Sequence, residues 1–139
     1  MYCNIDQMIT WYSEAELIQR TGRGSFTEIN LDIVNEAIAT AQRKIDGYLR
    51  TVYSLPLADS LIIDSPLPQV CGDIARYQLH ADLISDEITP VKTRYDEAMR
   101  WLRDVQAKRV SLGSQDDSVA ETGSAVIKTA SSAINWGNY

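Results

Sequence analysis

The chain has 139 residues, of which 45% are hydrophobic, and it carries a formal net charge of -6 at pH 7. This length fits one compact domain with a small core. The acidic charge argues against binding to nucleic-acid phosphates or to an anionic membrane surface, because both require a basic face. No run of apolar residues approaches the roughly 20 that cross a bilayer.

The N-terminus and the two cysteines are typical of a cytosolic protein. Residues 1–16 carry acidic side chains where a secretory signal has a basic region followed by a long apolar stretch. Cys3 and Cys71 are far apart in the sequence and lack CxxC spacing. We therefore expect two reduced thiols, with Cys71 buried as a small hydrophobic residue.

Residues 4–25 predict two short helices in succession. Asn4 is a candidate N-cap, and it is followed at helical spacing by Ile5, Met8, Ile9 and Tyr12. Ser13 starts the second helix, and Glu16 three residues later fits a capping box. The glycines of TGRGS, residues 21–25, predict the end of this second helix.

Three longer segments predict amphipathic helices, over about residues 30–50, 68–85 and 90–110. Pro68 and Pro90 are placed as first helical residues, and Thr89 is the cap of the third helix. Gly47 lowers the stability of the first by about 1 kcal/mol relative to alanine, and close packing is the candidate reason for it. The core residues expected where the three helices meet are Ile38, Ala41, Ile45, Ile74, Leu79, Leu102 and Val105.

These patterns predict an all-α fold, a small bundle of three long and two short helices with an extended C-terminal tail. The connection over residues 52–67 contains Tyr53, Leu55 and Leu57, with Pro56 holding Leu55 extended. In one interpretation these side chains cap the bundle of their own chain, which we favour for the two leucines. In the other, part of this surface meets a neighbouring subunit.

Composition divides the chain into a helical domain, residues 1–113, and a C-terminal tail or arm, residues 114–139. The tail is rich in Ser, Ala, Gly and Asp and lacks a helical stripe, which is typical of a flexible segment. It nevertheless contains spaced apolar residues that are candidate partner-binding anchors, as is Tyr53 in the domain. The tail anchors are Val126, Ile127, Ile134, Trp136 and Tyr139. We expect the tail to order on assembly; folding back on its own bundle is the alternative.

The sequence offers no catalytic, cofactor-binding or metal-ligating pattern. His80 is the single histidine, and only acidic residues such as Asp82 lie near it. TGRGS lacks the Lys and Ser or Thr that complete a phosphate-binding loop, and it does not follow a strand. Asp82, Asp86 and Glu87 lack a histidine or cysteine that would complete a metal site. We therefore expect a protein that is not an enzyme and that uses no cofactor.

Several stretches of the chain resemble a family of Mu-like prophage proteins. They are YCNIDQMITWYSEAELIQRT (2–21), KIDGYLRTVYSLPL (44–57), CGDIARYQLH (71–80) and VKTRYDEAMRWLRDVQAKRVSLG (91–113). The family is similar to the head–tail connector, or adaptor, proteins of tailed phages. The resemblance covers residues 1–113 and leaves the tail outside. Where many members have an Asp-rich turn, this chain has TGRGSFTE.

The resemblance implies a helical virion protein that forms a ring, most often twelve-fold, beneath the portal protein. Such a ring joins the capsid to a tail-side connector or stopper protein at the head–tail interface. DNA then passes through the channel without sequence-specific binding, no membrane is involved, and the protein resides in the host cytoplasm before assembly. The alternative function is a small regulatory or chaperone-like phage protein that binds a partner helix.

Overall fold

The computed structural model describes residues 1–22, 27–81 and 89–113. Within these ranges the chain forms six helices and no strand, which confirms the all-α prediction. The helices are α1 (Ile5–Tyr12), α2 (Glu14–Thr21), α3 (Leu31–Leu49), α4 (Asp59–Ile63), α5 (Leu67–Leu79) and α6 (Pro90–Gln106). The short helix α4 is an addition to the prediction, since the sequence indicated only two short helices. None of these helices is long and apolar enough to span a membrane.

The bundle is built from α3, α5 and α6, each of which packs against the other two. The apolar stripes of the three helices meet there and form one continuous core. Six of the seven predicted core residues are buried: Ile38, Ala41, Ile45, Ile74, Leu102 and Val105. Leu79 packs against this core but stays partly exposed. The helix phases of all three long helices are therefore confirmed.

The first two helices begin at the predicted caps, with one difference. The Asn4 side chain accepts a 2.9 Å hydrogen bond from the Gln7 amide, and Gln7 Oε1 accepts a 3.0 Å bond from the Asn4 amide. This is a complete capping box. The Ser13 hydroxyl accepts a 3.2 Å bond from the Glu16 amide, but the Glu16 carboxylate binds Arg76 instead. The capping box predicted at Ser13 is therefore only half formed.

The boundaries of the last two helices also differ from the prediction in detail. α5 begins at Leu67 with Pro66 as its N-cap, so Pro68 is its second residue. The predicted extension to Ser85 reaches residues 82–88, which lie outside the described ranges. α6 begins as predicted, with the Thr89 hydroxyl accepting a 3.2 Å bond from the Lys92 amide. It ends at Gln106, and Lys108 then adopts a left-handed φ of 63° that turns the chain away from the helix axis.

The connection between α3 and α5 covers one end of the bundle. Leu57 and, from α4, Leu61 are buried in the core. Tyr53 and Leu55 pack against the core while remaining partly exposed. The interpretation that this connection caps its own bundle is confirmed for Leu57 and holds in part for Leu55.

Candidate functional site

A buried polar network joins α1 to α5. The Tyr12 hydroxyl donates a 2.6 Å hydrogen bond to Asp73 Oδ1. The Gln69 amide group donates to the Tyr12 oxygen at 3.0 Å and to Asp73 Oδ1 at 3.3 Å. Burial raises the pKa of the Asp73 carboxyl, whereas the hydrogen bonds from Tyr12 and Gln69 act in the opposite direction. These contacts stabilise the position of α1 on α5 without leaving the buried carboxyl unpaired.

A second polar contact joins α2 to the same face of α5. Arg76 Nε and Nη2 each donate a 2.8 Å hydrogen bond to one carboxylate oxygen of Glu16, which makes a two-pronged ion pair. The guanidinium carbon lies 4.7 Å from the centre of the Tyr12 ring. The hydrogen bond to Glu16 raises the pKa of Arg76. Tyr12 is therefore held by Asp73 at its hydroxyl and by Arg76 at its ring face.

Gly72 allows α1 to approach α5 closely enough for these bonds. A Cβ at position 72 would lie 2.9 Å from Trp11 Cζ3 and 2.9 Å from the Tyr12 hydroxyl oxygen. At Gly47, by contrast, a Cβ would meet nothing within 4 Å. The close-packing interpretation of Gly47 is therefore wrong, and the packing glycine is Gly72.

The two cysteines, 68 positions apart in the sequence, meet in the core. Both are free thiols and both are buried. A hydrogen bond with Cys3, together with burial, raises the pKa of the Cys71 thiol. A protonated thiol is a poor nucleophile, so Cys71 packs as a small hydrophobic residue, as expected.

An aromatic pair links α5 and α6 near the surface. The rings of Tyr77 and Tyr95 stack with their centres 3.8 Å apart and their planes inclined by 15°. Lys44 of α3 donates a 3.1 Å hydrogen bond from Nζ to the Tyr95 hydroxyl oxygen. All three long helices thus meet at this pair, which adds a polar link to their apolar contacts.

Tyr53, a predicted partner-binding residue, is engaged within its own chain. Its hydroxyl oxygen accepts a 2.9 Å hydrogen bond from the Leu112 amide and lies 3.3 Å from Ser111 Oγ. These bonds hold the segment after α6 against the connection between α3 and α5. The other predicted anchors lie outside the described residues: Val126, Ile127, Ile134, Trp136 and Tyr139. Their binding role stays a prediction.

In the described part of the chain, no group of three or more His, Cys, Asp or Glu side chains is placed to hold a metal ion. The acidic residues Asp82, Asp86 and Glu87 fall outside those ranges, as do residues 23–25 of TGRGS. His80 is partly exposed, and its Nδ1 lies 2.9 Å from the Arg76 carbonyl oxygen. It therefore sits at the end of α5 as a helix-terminal polar residue.

The exposed apolar surface of the described residues includes a pocket between the N-terminus and α4. We call it the N-terminal corner; it has a volume of about 370 Å³ and is lined by Met1, Tyr2, Cys3, Ile62, Ile63 and Pro68. The polar residues that also line it are Asn4, Gln7 and Asp59. Met1 is 75% exposed and Ile63 is 74% exposed. The only local sequence signal here is the adjacent apolar pair Ile62–Ile63.

Comparison with known proteins places the chain among phage proteins. The family described as Bacteriophage Mu, Gp36 matches residues 2–130. The chain belongs to the bacteriophage Mu Gp36 family. This Gp36-family chain is 30% identical over 138 residues to the Mu-like prophage FluMu protein gp36 of Haemophilus influenzae, with 99% of this chain and 93% of that relative covered. It is 28% identical over 88 residues to gene product J of Escherichia phage Mu, with 63% of this chain and 58% of that relative covered.

The Gp36 assignment confirms the Mu-like resemblance and corrects its extent. The resemblance was placed on residues 1–113, whereas the Gp36 family match continues to residue 130. The match therefore includes Val126 and Ile127 of the tail, together with the whole polar network of Tyr12, Asp73 and Arg76. Most of the tail thus belongs to the part of the chain that the family defines.

Proposed function

We propose that this Gp36-family protein is a structural head–tail connector, which assembles as a ring beneath the portal protein and joins the capsid to the tail. The observation that carries the proposal is the contrast between a buried polar network and an exposed apolar pocket. The polar side chains of the network, Tyr12, Asp73 and Arg76, bond to one another, while the N-terminal corner exposes apolar side chains. Exposed apolar surface is typical of a contact with another protein.

The polar network suits a subunit of an assembly because it holds the N-terminal helices in place on the bundle. Tyr12–Asp73 and Glu16–Arg76 fasten the N-terminal helices to α5, and the first turn of α1 lines the corner. A preorganised surface loses less conformational entropy on binding than a flexible one. The proposed partners are further copies of the chain, the portal protein and a tail-side connector or stopper protein.

The proposed ring requires neither enzymatic activity nor a cofactor. Its channel would pass DNA without sequence-specific binding. The net charge of -6 supports this, because like charge discourages phosphate groups from adhering to the wall. We place the protein in the virion at the head–tail interface, and in the host cytoplasm before assembly.

Labelling this protein on mature phage particles and imaging them by negative-stain microscopy tests the proposal. We expect label at a single position on each particle, where head and tail meet. Particles without label, together with a monomeric or dimeric protein in the infected cell, would contradict it and favour the regulatory alternative.

A further inference from the structure

The described chain ends against helix α4, which contributes residues to the N-terminal corner. Gly113 lies so close to α4 that a Cβ there would be 3.1 Å from Leu61 Cδ2. Leu61 is followed directly by Ile62 and Ile63, which line the corner. The bond from the Leu112 amide to the Tyr53 hydroxyl holds this exit point in place. The described chain therefore ends in contact with the helix whose next two residues line the pocket.

The spacing of apolar residues in this segment allows it to reach the pocket of a neighbouring copy. Residues 114–125, SQDDSVAETGSA, contain three acids and one large apolar residue, Val119. The first apolar pair, Val126–Ile127, begins 13 residues beyond Gly113. Thirteen extended residues span up to about 43 Å. The diameter expected for a domain of this size is about 35 Å, so the spacer reaches across one subunit.

We propose that the C-terminal segment of one copy docks into the N-terminal corner of the neighbouring copy, with Trp136 as its main anchor. This inference rests on the proposed ring for the presence of a neighbour. Tryptophan is enriched among the residues that dominate binding energy, and the pocket volume of about 370 Å³ accommodates a large side chain. The carboxylate of Asp59, which also lines the pocket, is an acceptor for the indole N–H.

The proposed contact joins two different surfaces, the tail of one subunit and the corner of the next. Such a heterologous contact leaves one free tail and one free corner on every dimer, so it propagates until the ring closes. The corner does not require the polar network to open, since Ile63 and Met1 are already exposed.

The experiment uses two full-length variants, Ile63→Asp in the corner and Trp136→Ala in the tail. Ile63 is largely exposed, so its replacement spares the core. Leu31→Asp is the matched control, because Leu31 is also an exposed apolar residue on a helix but lies outside the corner. Sedimentation velocity measures the oligomeric state of each protein alone and of the two variants mixed. Circular dichroism establishes that each variant is folded.

We expect the wild type and Leu31→Asp to self-associate as concentration rises, and each test variant to weaken that association at least tenfold. Mixing Ile63→Asp with Trp136→Ala should restore a dimer, because one intact tail then meets one intact corner. Docking within one chain predicts no mixed dimer, and that result would overturn the proposal, as would a wild type that stays monomeric.

The two proposals fail in different ways. If folded Ile63→Asp still forms wild-type rings and binds portal protein, the corner is not the docking site, but the connector function stands. If wild-type protein neither forms rings nor is found on virions, the connector function itself is wrong.

Discussion

The Tyr12 hydroxyl donates a 2.6 Å hydrogen bond to the buried carboxylate of Asp73, 61 residues further along the chain. This bond ties the N-terminal helix to the middle helix of the bundle, and Arg76 one turn later covers the same tyrosine ring. The N-terminal corner includes Asn4 and Gln7, at the start of the helix that this bond attaches to α5. The network therefore contributes to holding α1, whose first turn lines the proposed docking surface, on the bundle.

Asp73 should make the stability of the fold depend on pH. Burial raises the pKa of its carboxyl above the ordinary value of 3.8. A carboxyl with a higher pKa in the folded state binds its proton more tightly when the protein is folded. Its protonation therefore stabilises the fold fully below the unfolded-state pKa. This contribution is lost as pH rises through the folded-state pKa. The free energy of unfolding of wild type minus that of Asp73→Asn should therefore fall as pH rises above the ordinary pKa of 3.8.

Urea denaturation of both proteins across this pH range measures the difference. The asparagine keeps an oxygen that can accept from Tyr12, so the comparison isolates the titration of the carboxyl. A difference that grows with pH would show that the hydrogen bonds from Tyr12 and Gln69 outweigh burial and lower the pKa.

Two glycine-to-alanine substitutions should change stability in opposite directions. Gly47→Ala should stabilise the protein by about 0.5–1 kcal/mol, because position 47 is exposed on α3 and alanine favours the helix. Gly72→Ala should destabilise it by about 1–3 kcal/mol, because the new methyl group meets the Tyr12 hydroxyl, which Asp73 holds in place. Thermal denaturation of both variants checks this; a stabilised Gly72→Ala would mean that α1 is free to move.

Replacing Arg76 by lysine should destabilise the protein by about 1–2 kcal/mol, although the positive charge is kept. Lysine cannot make the two parallel bonds that Arg76 makes to Glu16. The matched control is Arg43→Lys, because Arg43 forms an exposed ion pair with Glu36. The side chains of Arg43 and Glu36 are 66% and 72% exposed, whereas those of Arg76 and Glu16 are 16% and 21% exposed. We expect less than about 0.5 kcal/mol there. Equal losses in chemical denaturation would assign no special role to the Arg76 pair.

The core prediction concerns Ile45 and Leu102, which are both fully buried between the long helices. Ile45→Ala or Leu102→Ala should lower the free energy of unfolding by about 2–5 kcal/mol through lost contacts and a cavity. Leu79→Ala is the comparison, since Leu79 is only partly buried and should cost less. Thermal melts that do not change for Ile45 and Leu102 would contradict the helix phases.

The sequence predicts features whose signal is local. The spacing of apolar residues locates α3 and α6. The caps Asn4 and Thr89 can be predicted because each side chain accepts a hydrogen bond from the amide three residues later. It misses contacts between distant segments. Glu16 matches a capping box in sequence, but only the fold brings Arg76 within reach of its carboxylate. Gly47 and Gly72 cannot be distinguished from the sequence alone. The difference is that the Trp11 and Tyr12 side chains pack against Gly72 and not against Gly47.

Helix α4 and the N-terminal corner are missed for a related reason. Five residues are too few to show helical periodicity, so DSLII reads as part of an irregular connection. The exposure of Ile63 depends on which side of that single turn faces the bundle, and Leu61 takes the inward side. To predict a pocket between α4 and the N-terminus, the relative positions of both segments must be known, and a single sequence does not give them.

The last prediction is that deleting residues 114–139 separates assembly from folding. The buried residues of the described chain form one core within residues 1–113, so we expect helix content and melting temperature to stay nearly unchanged. The segment alone has too little apolar surface to offset the entropy of ordering it, but its apolar anchors suit an interface. Attachment to portal protein and ring formation should therefore be lost, as pull-down and sedimentation experiments would show. A truncated protein that unfolds would instead place the segment within the folded domain, where it packs on its own bundle.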